Sequence, residues 1–255
     1  MAQQNIFDNE IFFEGYKKIR EREVNANIIY EIPALFSLLP DMKGKKVLDL
    51  GCGFGEHCME YIKMGAEKVV GLDISEKMLE VAKKENSDPK ITYLHMPMED
   101  LGMLKDRLGE GDDIQFDVVI SSLAFHYIED FRGVLKKINS LMADKGLFIF
   151  SQEHPFNTCF SGRDRWTVDE NGEKLHVNLK NYCVEKETEC EWFVDNVKRY
   201  HRMFSTIINT LIEEGFTIEK LIEPYPNEEI LAKYPDYRDN LHKPDFLIVR
   251  SRKNV

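Results

Sequence analysis

The sequence predicts an α/β fold built on a doubly wound parallel sheet, and three observations carry that prediction. From about residue 46 to residue 151, short apolar runs, several rich in Val and Ile, alternate with amphipathic stretches. That is the pattern of strands buried on both faces and joined by helical crossovers. The first of those runs ends in a glycine-rich turn, Gly51-Cys52-Gly53-Phe54-Gly55, ahead of a helical pattern. A chain of 255 residues that is 43% hydrophobic and 31% charged has the composition of an ordinary globular protein with ample material for a core.

In chain order, residues 5–40 show helical spacing (Phe12, Phe13, Tyr16, Ile19) ending near Pro33 and Pro40, and are expected to pack as a cap within residues 1–44. The core, 45–151, holds strand patterns at Lys46–Leu50, Lys68–Asp73, Ile91–His95, 116–120 and 146–151. Between them lie helix patterns at 56–64, closed by Gly65, at 75–85, opened by Ser75 as cap, and at Phe131–Leu141, opened by Asp130. The rhythm breaks in residues 152–200, an expected insertion whose segments 176–183 and 189–194 alternate like hairpin strands. Regularity returns in 201–255 with a helix at 202–214 ended by Gly215, a strand at 217–223 and a last strand at 245–251. The insertion is therefore embedded in a single domain.

Lys and Arg total 34 against 45 Asp and Glu, a net charge of −11, so nothing draws the whole chain to nucleic acid or anionic lipid. Lys43, Lys45 and Lys46 form a solvated strand entry rather than a phosphate groove. No apolar run approaches the ~20 residues of a membrane span. Asp8, Glu10 and Glu14 among the first aromatics do not make a signal peptide, so a cytoplasmic location is expected. Five cysteines (Cys52, Cys58, Cys159, Cys183, Cys190) without a CxxC pair fit reduced thiols and no metal site.

The glycine turn carries the chemistry. Glycine lets a ligand approach bare main chain, and the helix behind it offers free N–H groups, so a nucleotide at the carboxyl end of the strand follows. The spacing here, Gly51-x-Gly53-x-Gly55, departs from the dinucleotide GxGxxG, and Glu56 stands where the third glycine would fall. Asp49, two residues before the first glycine, suits an electropositive ligand, or alternatively ties down turn amides.

The stretch Asp49 to Gly55 resembles the first motif of class I S-adenosylmethionine-dependent methyltransferases, and the chain looks like the small-molecule type found in ubiquinone and menaquinone biosynthesis. Further motifs follow in order. Asp73 ends Val69-Val70-Gly71-Leu72-Asp73-Ile74-Ser75, where the family holds both ribose hydroxyls. Met96-Pro97-Met98-Glu99-Asp100-Leu101 resembles the adenine loop. Phe116-Asp117-Val118-Val119-Ile120-Ser121-Ser122-Leu123 is similar to the motif beside the activated methyl. The resemblance implies a Rossmann-like seven-stranded sheet with the last strand antiparallel, S-adenosyl-L-methionine as cofactor and S-adenosyl-L-homocysteine as product. It assigns the cofactor to Asp49, Gly51, Cys52, Gly53, Gly55, Asp73, Ile74, Met98 through its backbone, Glu99 and Ser121, with Tyr16 and Arg20, one helical turn apart, over the methionine carboxylate.

Methyl transfer is an in-line displacement that asks mainly for alignment and exclusion of water, with a base only where the acceptor must lose a proton. His126, in Leu123-Ala124-Phe125-His126-Tyr127, is the candidate base and Tyr127 a pocket wall, with His154 and His201 as further substrate-facing candidates. Trp166, Tyr182, Trp192 and Tyr200 of the insertion suit either a lid or a separate small core. The fourth strand lacks the Asn/Asp-Pro-Pro-aromatic motif of nucleobase amino-methyltransferases, and Cys159 lacks the Pro-Cys context of cytosine methylation. A small organic acceptor, methylated on O or N rather than C, is expected, with neither nucleic acid nor membrane as partner. Two alternatives share the strand-glycine-helix logic: a nicotinamide-dependent oxidoreductase, and a cofactor-binding protein of this fold without catalysis.

Overall fold

The computed structural model describes residues 4–20, 24–109, 114–160 and 165–255; the remaining parts of the expected cap (1–3, 21–23), core (110–113) and insertion (161–164) lie outside the described residues. The chain enters through α1 (Glu10–Arg20) and α2 (Ile32–Phe36). It then alternates through β1 (Lys46–Leu50), α3 (Glu56–Lys63), β2 (Lys68–Asp73), α4 (Glu76–Glu85), β3 (Ile91–His95), α5 (Leu104–Leu108), β4 (Phe116–Ser121), α6 (Phe131–Leu141) and β5 (Met142–Glu153). After β5 come α7 (Pro155–Thr158), the strands β6 (Trp166–Val168), β7 (Lys174–Val177), β8 (Lys186–Trp192) and β9 (Val194–His201), then α8 (Phe204–Glu213), β10 (Phe216–Ile222), α9 (Glu228–Lys233) and β11 (Phe246–Lys253).

Seven of these strands form one sheet in the order β10-β11-β5-β4-β1-β2-β3. Neighbours are parallel except β11, which runs antiparallel to both β5 and β10. The expected seven-stranded sheet with its last strand reversed is what the chain forms. Side chains alternate across the pleat, so each strand feeds both faces. Leu48, Leu50, Val70, Val119 and Phe148 pack under α6 and α8 on one side. Val47, Val69, Val118 and Ile149 pack on Leu35 of α2 and Tyr61 of α3 on the other.

The helix starts follow from side-chain caps. Ser75 Oγ accepts the Met78 amide at 3.1 Å and Asp130 Oδ1 accepts the Gly133 amide at 2.9 Å, satisfying donors that the first helical turn leaves open. Three expectations change. Pro33 does not end the cap helices; it follows closely on a π-helical stretch, Asn27–Glu31, whose wider winding runs into α2. β5 runs past Ser151 to Glu153. The segments 176–183 and 189–194 do not pair with each other: β7 stops at Val177 and pairs with β6, and β8 turns at Phe193 (φ 59°) to pair with β9.

The β8–β9 hairpin lies against α1. Phe12 meets the rings of Trp192 and Phe193 edge-on at centroid distances of 5.1 and 5.5 Å, and Tyr16 meets Trp192 at 5.9 Å. Cap and insertion thus form one roof over the carboxyl ends of the strands.

Two glycines of the turn after β1 separate backbone strain from crowding. Gly53 (φ +53°) and Gly55 (φ +77°) are both left-handed; a Cβ on Gly53 would meet nothing within 4 Å, whereas one on Gly55 would stand 2.2 Å from Tyr93 Oη. Gly53→Ala should therefore cost about 1 kcal/mol of stability through strain, and Gly55→Ala clearly more, about 2–3 kcal/mol. Urea denaturation of the two variants checks the order; equal costs would contradict it.

Candidate active site

A cavity of about 1610 Å³ opens where β1, β2, β4 and β5 end. Gly51, Gly53 and Asp73 form part of its floor, and Tyr16, Trp192 and Tyr200 part of its roof. Carboxyl ends of a doubly wound sheet are where such folds bind ligands, because the strand-to-helix turns spread apart there.

One half has the chemistry of an adenosyl site. At Gly53 the open space where a Cβ would sit leaves main chain bare to the cavity. Asp73 accepts the Gly53 amide on Oδ2 and the Ser75 amide on Oδ1, each at 2.8 Å, which ties the glycine turn to the start of α4. Each oxygen keeps a lone pair, so two further donors such as vicinal hydroxyls can be received. Burial raises the Asp73 carboxyl, against the pull of those two amides. Ile74, Met98, Glu99 and Asp100 continue the wall, as expected of an adenine pocket. Tyr16 and Arg20 line the same half, Arg20 paired with Glu56 in the first turn of α3. The residues present fit an S-adenosyl ligand: bare backbone, a two-acceptor carboxylate, apolar walls and a guanidinium.

Four of the residues expected at the cofactor do not line the cavity. Asp49 is buried beneath the turn, where Cys58 Sγ donates to its Oδ2 at 3.4 Å and burial pushes its carboxyl up to about 7. Nor does it tie the turn amides, since those of Gly51 and Cys52 go to Leu72 O at 2.8 and 3.0 Å. Cys52 turns inward, its Sγ 3.0 Å from where a Cβ on Gly71 would stand. Gly55 faces Tyr93. Ser121 Oγ donates to Leu50 O at 2.7 Å and staples β4 to β1, so the next residue, Ser122, reaches the cavity instead.

The other half centres on Glu153. The last residue of β5 points into the cavity and pairs with Arg199 of β9, which is 5% exposed. Burial works against the charge of Glu153, and the guanidinium of Arg199, helped by His126, outweighs it and holds the carboxyl below its ordinary range. His126 lines the cavity as expected, but not as a free base. Its Nδ1 accepts the Glu153 amide at 3.3 Å, so the neutral ring carries its proton on Nε2, 3.9 Å from Glu153 Oε1. Burial depresses its pKa to about 4, opposed by Glu153, which keeps it neutral. Tyr127 lines the cavity beside it, the two rings 4.1 Å apart.

His154 and His201 do not reach the cavity. His154 caps α7 through Nδ1, which accepts the Phe156 amide at 3.2 Å, while Nε2 meets Glu223 at 2.9 Å. His201 donates to Tyr182 O at 2.8 Å and accepts from Thr158 Oγ at 2.9 Å. Alternation along β5 explains the first exchange: Glu153 shares a face with Ser151, and His154 falls beyond the strand. Of the insertion aromatics, Trp192 and Tyr200 roof the cavity, while Trp166 packs on His242 and Tyr182 on Phe156 and His201. The four aromatics therefore do not act together: two face the cavity and two pack away from it.

Sequence alone does not single out Glu153, Arg199 or Glu31. Glu31 is fully buried, accepts from Ser151 and Ser122 hydroxyls at 2.5 and 3.2 Å, and is raised by burial to about 7, opposed by those hydroxyls and Arg20. Glu153 falls two residues beyond the strand end that the sequence predicts, and Arg199 and Glu31 carry no signal of their own. Among the described residues no group of three or more His, Cys, Asp or Glu is placed to hold a metal, and no helix is long and apolar enough to cross a membrane.

Residues 41–211 match the family described as a methyltransferase domain. An uncharacterized protein of Haemophilus influenzae is 39% identical over 98% of this chain and 97% of its own length. The crystal structure of an S-adenosylmethionine-dependent methyltransferase from Mesorhizobium loti superposes with a TM-score of 0.76 at 33% identity, covering 88% of this chain and 97% of that one. A ubiquinone biosynthesis O-methyltransferase of Pelagibacter ubique is 31% identical over 54% of this chain and 53% of its own. These matches decide against the oxidoreductase alternative.

Asp49 yields a pH signature for the ligand-free protein. Its folded pKa, about 7, lies above the 3.8 of a free carboxyl, so between those values the folded state binds the proton that the unfolded state has lost. Its contribution to stability is complete below about pH 4, falls as pH rises to about 7 by up to roughly 1.4 kcal/mol per pH unit, and is flat above. Asp49→Asn should therefore gain on the wild type as pH rises from 5 to 7 in denaturant titrations. A constant difference across that range would refute the buried, protonated Asp49.

Proposed function

The chain belongs to the S-adenosylmethionine-dependent methyltransferases, and from that premise we propose that it methylates an oxygen or nitrogen of a small organic molecule held beneath the β8–β9 hairpin. One observation carries the reading: a single cavity runs from the glycine turn to Glu153, and its 1610 Å³ exceeds the roughly 300–1,000 Å³ of a one-ligand pocket. There is room for the cofactor and a small acceptor together. A net charge of −11 argues against a nucleic-acid acceptor. The ubiquinone O-methyltransferase relative lends weight to oxygen, over the half of the chain the two share.

The cofactor supplies an electrophilic methyl group for in-line displacement. In this assignment Asp73 receives the ribose hydroxyls, Met98 and Glu99 flank the adenine, and Arg20 with Tyr16 faces the methionine carboxylate. Glu153 accepts the hydrogen bond of the acceptor O–H or N–H and takes its proton as the new bond forms. His126 is a positioning residue: it fixes the Glu153 backbone through Nδ1 and turns Nε2–H toward the carboxylate. Arg199 keeps that carboxylate ionised beneath the hairpin.

Calorimetry with S-adenosylhomocysteine tests the cofactor half. Asp73→Ala should weaken binding by about 2–4 kcal/mol through lost charge-assisted hydrogen bonds; unchanged affinity overturns the ribose assignment. Glu153→Gln should leave that affinity intact and lower kcat by about 10²-fold once an acceptor is found; a kcat equal to wild type removes Glu153 from the reaction.

A further inference from the structure

Among the described residues, the inner end of the cavity carries more positive charge than its carboxylate balances. Arg165 and Arg199 both line it; Glu153 is ion-paired with Arg199, and its field also reaches Arg165. His126 is neutral, and Asp245, whose field also reaches Arg165, is paired with Lys243. Among the described residues, Nε and Nη2 of Arg199 are buried without a hydrogen-bond partner, although Arg199 is 5% exposed. Buried guanidinium N–H groups are rarely left unpaired, because each forfeits the water it gave up. Arg165 is held in place by the carbonyls of Asn157 and Phe160, at 3.1 and 3.2 Å, which fix its position without neutralising it. Burial lowers its pKa, and repulsion from Arg199 adds to that.

We propose that this end of the cavity is an anion subsite, and that the methyl acceptor carries a carboxylate that docks between Arg165 and Arg199. The proposal rests on the small-molecule acceptor reading above and deepens it by naming the substrate class. Among the described residues, two guanidiniums and one carboxylate leave a net charge of +1, which an acceptor carboxylate cancels. Phe160 and Trp192 supply the apolar walls for the rest of the molecule. The carboxylates of Glu129, Glu187 and Glu189 stand at the outer rim, exposed to water that screens them, and Glu187 is paired with Lys198. They weigh less on a buried anion than the two arginines do.

The test is a calorimetric titration of the full chain, loaded with S-adenosylhomocysteine, using matched probes: benzoate against benzamide, and phenylacetate against phenylacetamide. The acids should bind at least about tenfold tighter than their amides, since a charge-assisted pair to arginine replaces a neutral contact. Arg165→Gln should shrink that preference to under about threefold with unchanged S-adenosylhomocysteine affinity, which also shows that the variant is folded, and Arg165→Lys should retain most of it. Equal or tighter binding of the amides, or binding of neither while the cofactor product binds, overturns the anion subsite. Absence of S-adenosylhomocysteine binding by the wild type overturns the cofactor reading instead, and this proposal with it.

Discussion

A carboxylate at the end of a buried strand has to stay charged where only part of it meets water, and the ion pair between Glu153 and Arg199 is what permits it. Much of the acceptor half depends on this pair. Burying a lone carboxylate costs several kcal/mol, so Glu153 without its partner would take up a proton or swing out to solvent. Arg199 sits on β9, and the pair therefore also anchors the hairpin to the sheet. The same strand end sets the tautomer of His126, whose Nδ1 is consumed by the Glu153 amide. The charge of Glu153 and the seat of the hairpin thus hang on one contact between residues 46 positions apart.

The cofactor half is organised differently, by neighbours in sequence. Asp73 links Gly53 and Ser75, so β2, the glycine turn and α4 share one carboxylate, and its remaining lone pairs point where a ligand can meet them. No counter-ion is needed, because two amides share the charge. Burial raises Asp73 and the amides lower it, a balance suited to a group that exchanges solvent for hydroxyl donors when the site fills.

That difference explains what could be read from the chain. The strands, their glycine turn, the Ser75 and Asp130 caps and the place of Asp73 are local chemistry, written in residues that touch their sequence neighbours. Asp49 and Ser121 look like ligand groups for the same local reason, yet the pleat turns both away from the cavity and into contacts behind it, with Cys58 and Leu50. The histidines mislead for a deeper reason: the lone pairs of His126 and His201 are taken by Glu153 and Thr158, partners that no spacing encodes, while that of His154 goes to the Phe156 amide two residues on. Glu31 and Arg199 are invisible to pattern because each matters only through elements that meet across the fold.

The roof must open for ligands to pass, and its chemistry bounds the cost. Cap and hairpin meet through Phe12, Tyr16, Trp192 and Phe193, in edge-on pairs 5.1–5.9 Å apart. Each such pair contributes about 0.5–1.5 kcal/mol beyond its buried area, so parting three of them costs a few kcal/mol. That is within reach of the microsecond-to-millisecond lid motions that gate many enzymes. The Glu153–Arg199 pair is buried and would cost more to break, so the hairpin is expected to stay tethered at Arg199 while its Trp192 tip and α1 separate. The opening then lies above Tyr16 and Arg20, at the end of the cavity that the glycine turn floors.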